Sequence, residues 1–395
     1  NYAPLRTWGQ WVEKSGTTKT AGAVIKPLSW LRLSYNQSDS FQPSTTQYNL
    51  LGEVLPNPTG KGKDYGVTFV MFDGKLNFKI NKYDTFQKNS RLGDAGIVAT
   101  RAIRLETGRS GNGNDSFSFE TWATALANSR FATQGITPTA DQTSNAVAQI
   151  MGLPVGFLDT LVGKSISETS DISAKGYEFE LNYNPSRNWT FKATAAQQKS
   201  VDTNLSPTLV KYITDRMPVW TSVKDDAGAS WWKSSIGSAG VPENFFLVNV
   251  SAPLKLAIAN QGKPRSQVRE WRFNGLTKYT FTQGRLKGLD IGGAVRWEDR
   301  AAIGFLGAAP ESDGVVRTLD PDKPVYDKSR YYFDFLANYN FRIFNDRVRG
   351  RVQLNVRNIF ENGRLQPVAV NPDGRPFAYR IIDPRQFILS TSFDL

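Results

Sequence analysis

The chain has 395 residues, 48 Lys+Arg against 36 Asp+Glu for a formal charge of +12, and neither Cys nor His. Thiolate and imidazole nucleophiles, Ser-His pairs, His-ligated metals and disulfides are therefore excluded. Aromatic residues make up 12 %, yet mean hydropathy is −0.41 and no apolar run approaches the ~18 residues of a membrane helix. What remains is a β-rich soluble protein or a transmembrane barrel, whose strands meet lipid only at every second position. No catalytic residue, cofactor or metal is expected, and any secretion signal lies upstream of Asn1 or has been removed.

In chain order, strands are predicted over 20–36, 63–72, 75–86, 171–183, 189–200, 267–282, 286–299, 330–343, 347–359 and 385–395, about ten in all. The period of two is cleanest in Tyr177–Tyr183, where Tyr177, Phe179, Leu181 and Tyr183 interleave with Glu178, Glu180 and Asn182. It returns in 331–343, where aromatics alternate with Asp334, Asn338, Asn340 and Arg342, and in 348–357, where Val and Leu alternate with Arg349, Arg351, Gln353, Asn355 and Arg357. Several Arg on one face of one strand cannot be buried dry, so that face meets water or acidic groups.

The connections fall into two classes. Asp73-Gly74, Asn184–Asn188, Gln283–Arg285 and Asn345-Asp346 suit tight hairpins. The others, over 37–62, 87–162, 201–266, 300–329 and 360–384, are long, and every second connection belongs to this class. Short helices are predicted inside them at 95–107, 117–132, 143–152 and 207–217, as ornaments of loops and not as domains. Tight turns alternating with long excursions, on strands near the ~10 residues that cross a bilayer at a tilt, describe an all-β, transmembrane antiparallel barrel with periplasmic turns and extracellular loops.

Six stretches carry a family resemblance. Arg351–Phe360 (RVQLNVRNIF) resembles the "LNVxNLFD" strand and turn near the end of TonB-dependent outer-membrane receptors, and Arg385–Leu395 resembles their last strand. That family's chains usually close on Phe, whereas Leu395 stands here with Phe393 two positions earlier. Leu31–Ser38, Lys61–Val67 with Phe72–Asn77, Lys175–Leu181 and Arg285–Trp297 resemble successive strands of the same barrels. The resemblance implies a barrel of about 22 strands, a plug, and a TonB box contacting an inner-membrane energy-transducing complex. It identifies 1–395 as the C-terminal portion of such a barrel, importing a scarce nutrient such as a siderophore or oligosaccharide, with the remaining strands and plug in the same or a second chain. The alternative is a structural or adhesive barrel, possible within a multichain envelope assembly. An outer-membrane protease or phospholipase of the kind that uses a catalytic His is excluded by composition.

Glu178, Glu180, Asp334, Arg342, Arg349, Arg351 and Arg357 lie on the polar faces, as substrate or plug contacts or as a hydrated wall of cross-strand pairs; Arg351 and Arg357 are the first choice for the plug. Trp30, Trp189, Tyr183, Phe281, Trp297, Tyr331 and Phe341 fit interfacial girdles. Trp220, Trp231, Trp232, Phe245 and Phe246 share one loop, where they either stack on a sugar or aromatic chelator or pack a small core of their own. Asp225-Asp226 and Asn112–Asp115 lack a calcium-ligand spacing and read as turns, and Gly108–Gly113 lacks a phosphate-binding pattern. Lys and Arg are dispersed over strands and turns, which disfavours nucleic acid and suits lipid and lipopolysaccharide phosphates at the outer leaflet.

Overall fold

The computed structural model describes residues 13–108, 117–235, 240–312, 314–345 and 347–394. The tight turn at Asp346, the closing Leu395 and the loop segments within 109–116 lie outside the described residues. Eleven strands form one antiparallel sheet: β1 Thr20–Leu28, β2 Leu31–Phe41, β3 Thr59–Met71, β4 Leu76–Leu92, β5 Glu168–Ser186, β6 Trp189–Thr203, β7 Trp271–Thr280, β8 Leu289–Glu298, β11 Arg330–Ile343, β12 Val348–Arg357 and β15 Gln386–Asp394. The pairs β9 Ala302–Gly307 with β10 Leu319–Tyr326, and β13 Leu365–Val370 with β14 Pro376–Ile381, are separate hairpins inside the connections. The large sheet is a meander, β1-β2-β3-β4-β5-β6-β7-β8-β11-β12-β15, open at β1 and β15.

The single strand predicted over 20–36 is a hairpin. Pro27 offers no N–H to a ladder, the register slips between Ile25 and Leu28, and Ser29-Trp30 turn the chain so that Leu28 faces Leu31. At the loop end β3 to β6 run past their predicted bounds, whereas β7, β8 and β12 stop short of theirs. β3 and β2 pair as far as Phe41↔Thr59, and β4 and β5 as far as Leu92↔Glu168.

A two-residue period gives the sheet two unlike faces. One carries Tyr35, Tyr65, Tyr177, Phe273, Ile291, Tyr331, Phe333, Tyr339, Phe387 and Leu389, all exposed. The other is polar and partly enclosed, with Asn338 2 % and Asp290 8 % exposed. A sheet that leaves its apolar face open and shelters its polar face inverts the arrangement of a water-soluble domain.

The same meander sorts the connections. Turns after β1, β3, β5, β7 and β11 are short and lie at one end; the connections after β2, β4, β6, β8 and β12 lie at the other, two of them holding most of the helical residues. After β4 come α1 Gly93–Glu106, α2 Phe119–Thr133 and α3 Ala140–Met151; after β6 come α4 Pro207–Ser222, α5 Pro242–Phe246 and, through a π-helical turn, α6 Ala252–Ala259. Local chemistry sets their ends. The Ser118 side chain caps α2, while α3 opens on a Thr139/Gln142 capping box and stops at Gly152 with φ 62°.

These helices are more than loop ornaments. Leu50, Ala99, Leu105, Phe119, Leu209, Trp220, Trp231 and Val250 are all fully buried in one cluster built from three different connections, the main hydrophobic core among the described residues. The sheet lends it little, because the sheet's apolar side faces outward. Among the described residues no helix is long and apolar enough to cross a membrane.

Candidate functional site

Cross-strand register places the polar positions of β7, β8, β11 and β12 side by side, and their side chains join. Lys278 reaches Asp290 at 3.9 Å, Asn338 donates to Asp290 at 3.0 Å, Arg351 donates to Asn338 at 2.6 Å and to Gln353 at 2.5 Å, and Gln353 donates to Asn355 at 3.1 Å. Nearer the loop end Arg296 bridges Asp334 at 3.4 Å and Asn358 at 2.8 Å. On the other half of the sheet Asn81 donates toward Asp64 and Glu178, and Asn182 donates to Glu180 at 2.8 Å. The result is a polar wall of short amides, carboxylates and guanidinium groups, joined in several separate hydrogen-bonded clusters.

The wall rises to a polar recess at the loop end. Asp327 accepts Arg269 at 2.5 Å, Gln366 at 3.2 Å and the Ala301 N–H at 2.7 Å, and also pairs with Arg330. Arg269 reaches Glu298 at 3.2 Å. Arg269, Glu298, Asp327 and Gln366, with Arg272 and Arg380, line a cavity of about 230 Å³. Three guanidinium groups against two carboxylates leave its lining cationic. Sequence reading did not single out Asp327, Arg269 or Arg330, because Arg269 arrives from the connection after β6, Asp327 from the one after β8, and Arg330 opens β11.

A larger recess of about 460 Å³ lies between α1, α6 and the loop end of β6. Its apolar lining includes Ile97, Leu205 and Leu254, and its rim carries Arg101, Asp202 and Lys263. Asp202 is bonded to Arg265 at 2.9 Å.

Within the helical cluster that caps the loop end, α1 and α4 are tied by one carboxylate. Glu106 ends α1 with no exposed surface, and Tyr212, Arg216 and Trp220 present themselves to it at i, i+4 and i+8 on α4. Arg216 donates to both Glu106 oxygens at 2.5 and 3.1 Å and to the Met151 carbonyl at 2.9 Å; Trp220 and Tyr212 donate at 3.0 and 3.2 Å. Burial holds the Tyr212 hydroxyl well above its ordinary range, so it remains a donor.

The expected residues separate cleanly. Glu178, Glu180, Asp334, Arg342, Arg349, Arg351 and Arg357 all lie at polar-face positions of the register, with Arg342 opposite Arg349 and Arg349 opposite Asp394. Trp220, Trp231, Trp232 and Phe246 are buried and Phe245 is partly so. Their faces are taken by each other: Trp220 stacks on Trp232 at 6.0 Å and 7°, Trp231 on Phe119 at 4.6 Å, and Phe245 meets Phe117 at 4.9 Å. Of the two outcomes left open for these aromatics, a ligand platform or a small core of their own, the rings pack against one another. Asp226 forms an exposed pair with Arg130 at 2.6 Å, and Asp225 caps the turn at Ala227 and Ala229. Trp30, Tyr183, Trp189, Phe281 and Phe341 stand toward the tight-turn end, and Trp297 and Tyr331 toward the loop end, as two belts.

No family model and no curated protein matches the chain. Among solved structures it is similar to the ferripyoverdine receptor of the outer membrane of Pseudomonas aeruginosa, with 14 % identity, 96 % of this chain and 33 % of that one covered, and a TM-score of 0.48. It is similar to BauA, the ferric preacinetobactin receptor from Acinetobacter baumannii, at 10 % identity, 97 % and 37 % coverage and a TM-score of 0.49. For the ferric-catecholate import receptor Fiu from E. coli K12 the values are 15 %, 95 % and 34 %, and 0.44. The chain spans about a third of the length of these receptors.

Proposed function

We propose that the chain is the C-terminal barrel portion of a TonB-dependent outer-membrane receptor that imports a scarce nutrient. The observation that carries this reading is the inverted sheet, apolar face open and polar face sheltered, with its long connections gathered at one end. Water would not tolerate so large an apolar surface, whereas a bilayer requires it. Each open edge would cost several kcal/mol per unpaired backbone group in lipid, so further strands, from the same or a second chain, continue beyond β1 and β15. The resemblance of Arg351–Phe360 and Arg385–Leu395 to the last strands of that family supports the same assignment.

The polar wall is then the inner surface of the barrel, where Arg351 and Arg357 meet the plug. The cationic recess around Asp327 and Arg269 lies at the extracellular mouth, where a solute would first be held. TonB acts through the plug, and no covalent chemistry takes place on this segment. The test uses cells deleted for the full gene and complemented with it, with or without a working TonB system. Uptake of radiolabelled ferric chelates and oligosaccharides is then measured. Uptake of one solute that needs both the gene and TonB is expected; a barrel that supports adhesion but takes up none of them would replace transport by a structural role.

A further inference from the structure

The arginines around the Asp327 recess divide into matched and unmatched. Arg269 and Arg330 share Asp327 and Glu298, and close by Arg296 pairs with Asp334 and Arg364 with Glu361 at 2.8 Å. Arg272 and Arg380 line the same recess, both exposed, and among the described residues neither has a carboxylate within ion-pair distance. For Arg272 the register would allow one: it stands opposite Glu298, which stands opposite Arg330. Glu298 turns instead to Arg269 and Arg330. With those two balancing Asp327 and Glu298, the positive charge of Arg272 and of Arg380 is left for something outside the chain.

The buried floor of the recess aims one of the two. Asp327 is fixed by Arg269, Arg330 and the Ala301 N–H, and it accepts the Gln366 amide at 3.2 Å. That bond sets which way the buried amide of Gln366 points, so its Oε1 accepts Arg380 at 3.3 Å. Among the described residues the Arg380 guanidinium has no other hydrogen bond and the Arg272 guanidinium has none. Gln267 joins the lining on a left-handed backbone, φ 63°, with its N–H held by the Ala302 carbonyl at 2.9 Å. Such backbone strain in a non-glycine residue gathers at ligand sites.

Size and walls narrow what can enter. A volume of about 230 Å³ falls below the ~300 Å³ at which pockets begin to enclose whole small molecules, so one end of a solute fits and not the whole. Ala301, Ile303 and Val368 supply apolar wall, which strengthens any charged hydrogen bond made against it. Guanidinium forks match the paired oxygens of carboxylate and phosphate.

We propose that the recess selects a solute by a doubly charged oxyanion end, a phosphomonoester or two neighbouring carboxylates, held between Arg272 and Arg380, with Gln366 as a positioning residue. The inference rests on the import reading and deepens it: the recognised feature is charge at one end of the solute, and no metal is needed for it. Binding is measured by isothermal titration calorimetry on the full-length protein in detergent, with glucose 6-phosphate, succinate and glucose. The variants are Arg272→Gln with Arg380→Gln, Gln366→Leu alone, Gln366→Leu with Arg380→Gln, and a charge-matched control, Lys75→Gln with Arg187→Gln, in the tight turns.

Glucose 6-phosphate or succinate is expected to bind and glucose is not, and the tighter of the two anions identifies the end group. The double arginine variant should bind that anion at least about tenfold more weakly, as the loss of charged hydrogen bonds implies, while the turn variant matches the native protein. Gln366→Leu should weaken binding, and adding Arg380→Gln to it should cost little more, a non-additivity that general loosening of the recess would not produce. Glucose bound as tightly as glucose 6-phosphate, or equal loss in the turn variant, would overturn the proposal. A protein that supports TonB-dependent uptake of a solute yet binds neither anion sinks this proposal alone. A barrel that binds an anion but carries out no TonB-dependent uptake sinks the import reading, and with it the selecting role of the recess.

Discussion

Glu168 sits where β5 passes beneath α4, 1 % exposed and far beyond the bilayer-crossing part of that strand. Desolvation pushes its pKa up to about 7, only partly opposed by the hydrogen bond from the Leu209 N–H, and its Oε1 has no protein partner. The folded cap therefore holds a proton that the unfolded chain releases at a lower pH. Stability linked to this proton is complete at low pH, falls as pH rises past the unfolded value near 4.5, and is gone above about 7. The loss amounts to about 3 kcal/mol at ~1.4 kcal/mol per unit. Hydrogen exchange of the α4 amides should show faster opening at pH 8 than at pH 5, and Glu168→Gln should flatten that dependence. An unchanged slope in the variant would mean that another group carries it. No feature of the sequence marks Glu168: it follows Ser167 in a polar run, and burial comes from a helix about forty positions later.

At the scale of elements, alternation made the strands legible wherever side chains of opposite character interleave, as in 177–183 and 331–343. It misread 20–36, where Ala21, Ala23 and Ile25 continue the pattern into β2 and only Pro27 betrays the turn. Four of the helices were expected near their observed places and α5 and α6 were not, and their union was not legible, since Glu106 and Arg216 are 110 positions apart. This pair makes the connections after β4 and β6 one body. Arg216→Met would leave Glu106 buried without its cation, a cost of about 3–5 kcal/mol. Exchange in α1, α2 and α4 should rise together while β7, β8 and β11 keep their protection. Loosening confined to α4 would show that the connections open independently. The five loop aromatics were read with two outcomes open, a ligand platform or a small core, and packing around Trp220 and Trp231 makes them core; which of the two holds depends on partners such as Phe119 that arrive from a different connection.

At the scale of the whole molecule, the polar wall, the outward aromatics and the sorting of connections follow from one rule, a strand period of two repeated along a meander. Placement of the polar-face residues was readable because each position has only two faces to occupy. The recess around Asp327 was not, because it needs the three-dimensional meeting of connections after β6, β8 and β12. The described sheet is open at β1 and β15, and on the proposed barrel reading it is an arc of something larger. The most direct measurement is the intact mass and N-terminal sequence of the polypeptide that carries this segment when it is extracted from outer membranes. The account predicts a chain, or a pair of chains, well above 44.0 kDa that supplies further strands beside β1 and β15 and a plug. A native 44.0 kDa polypeptide that is folded and stable in the membrane without a partner would contradict it.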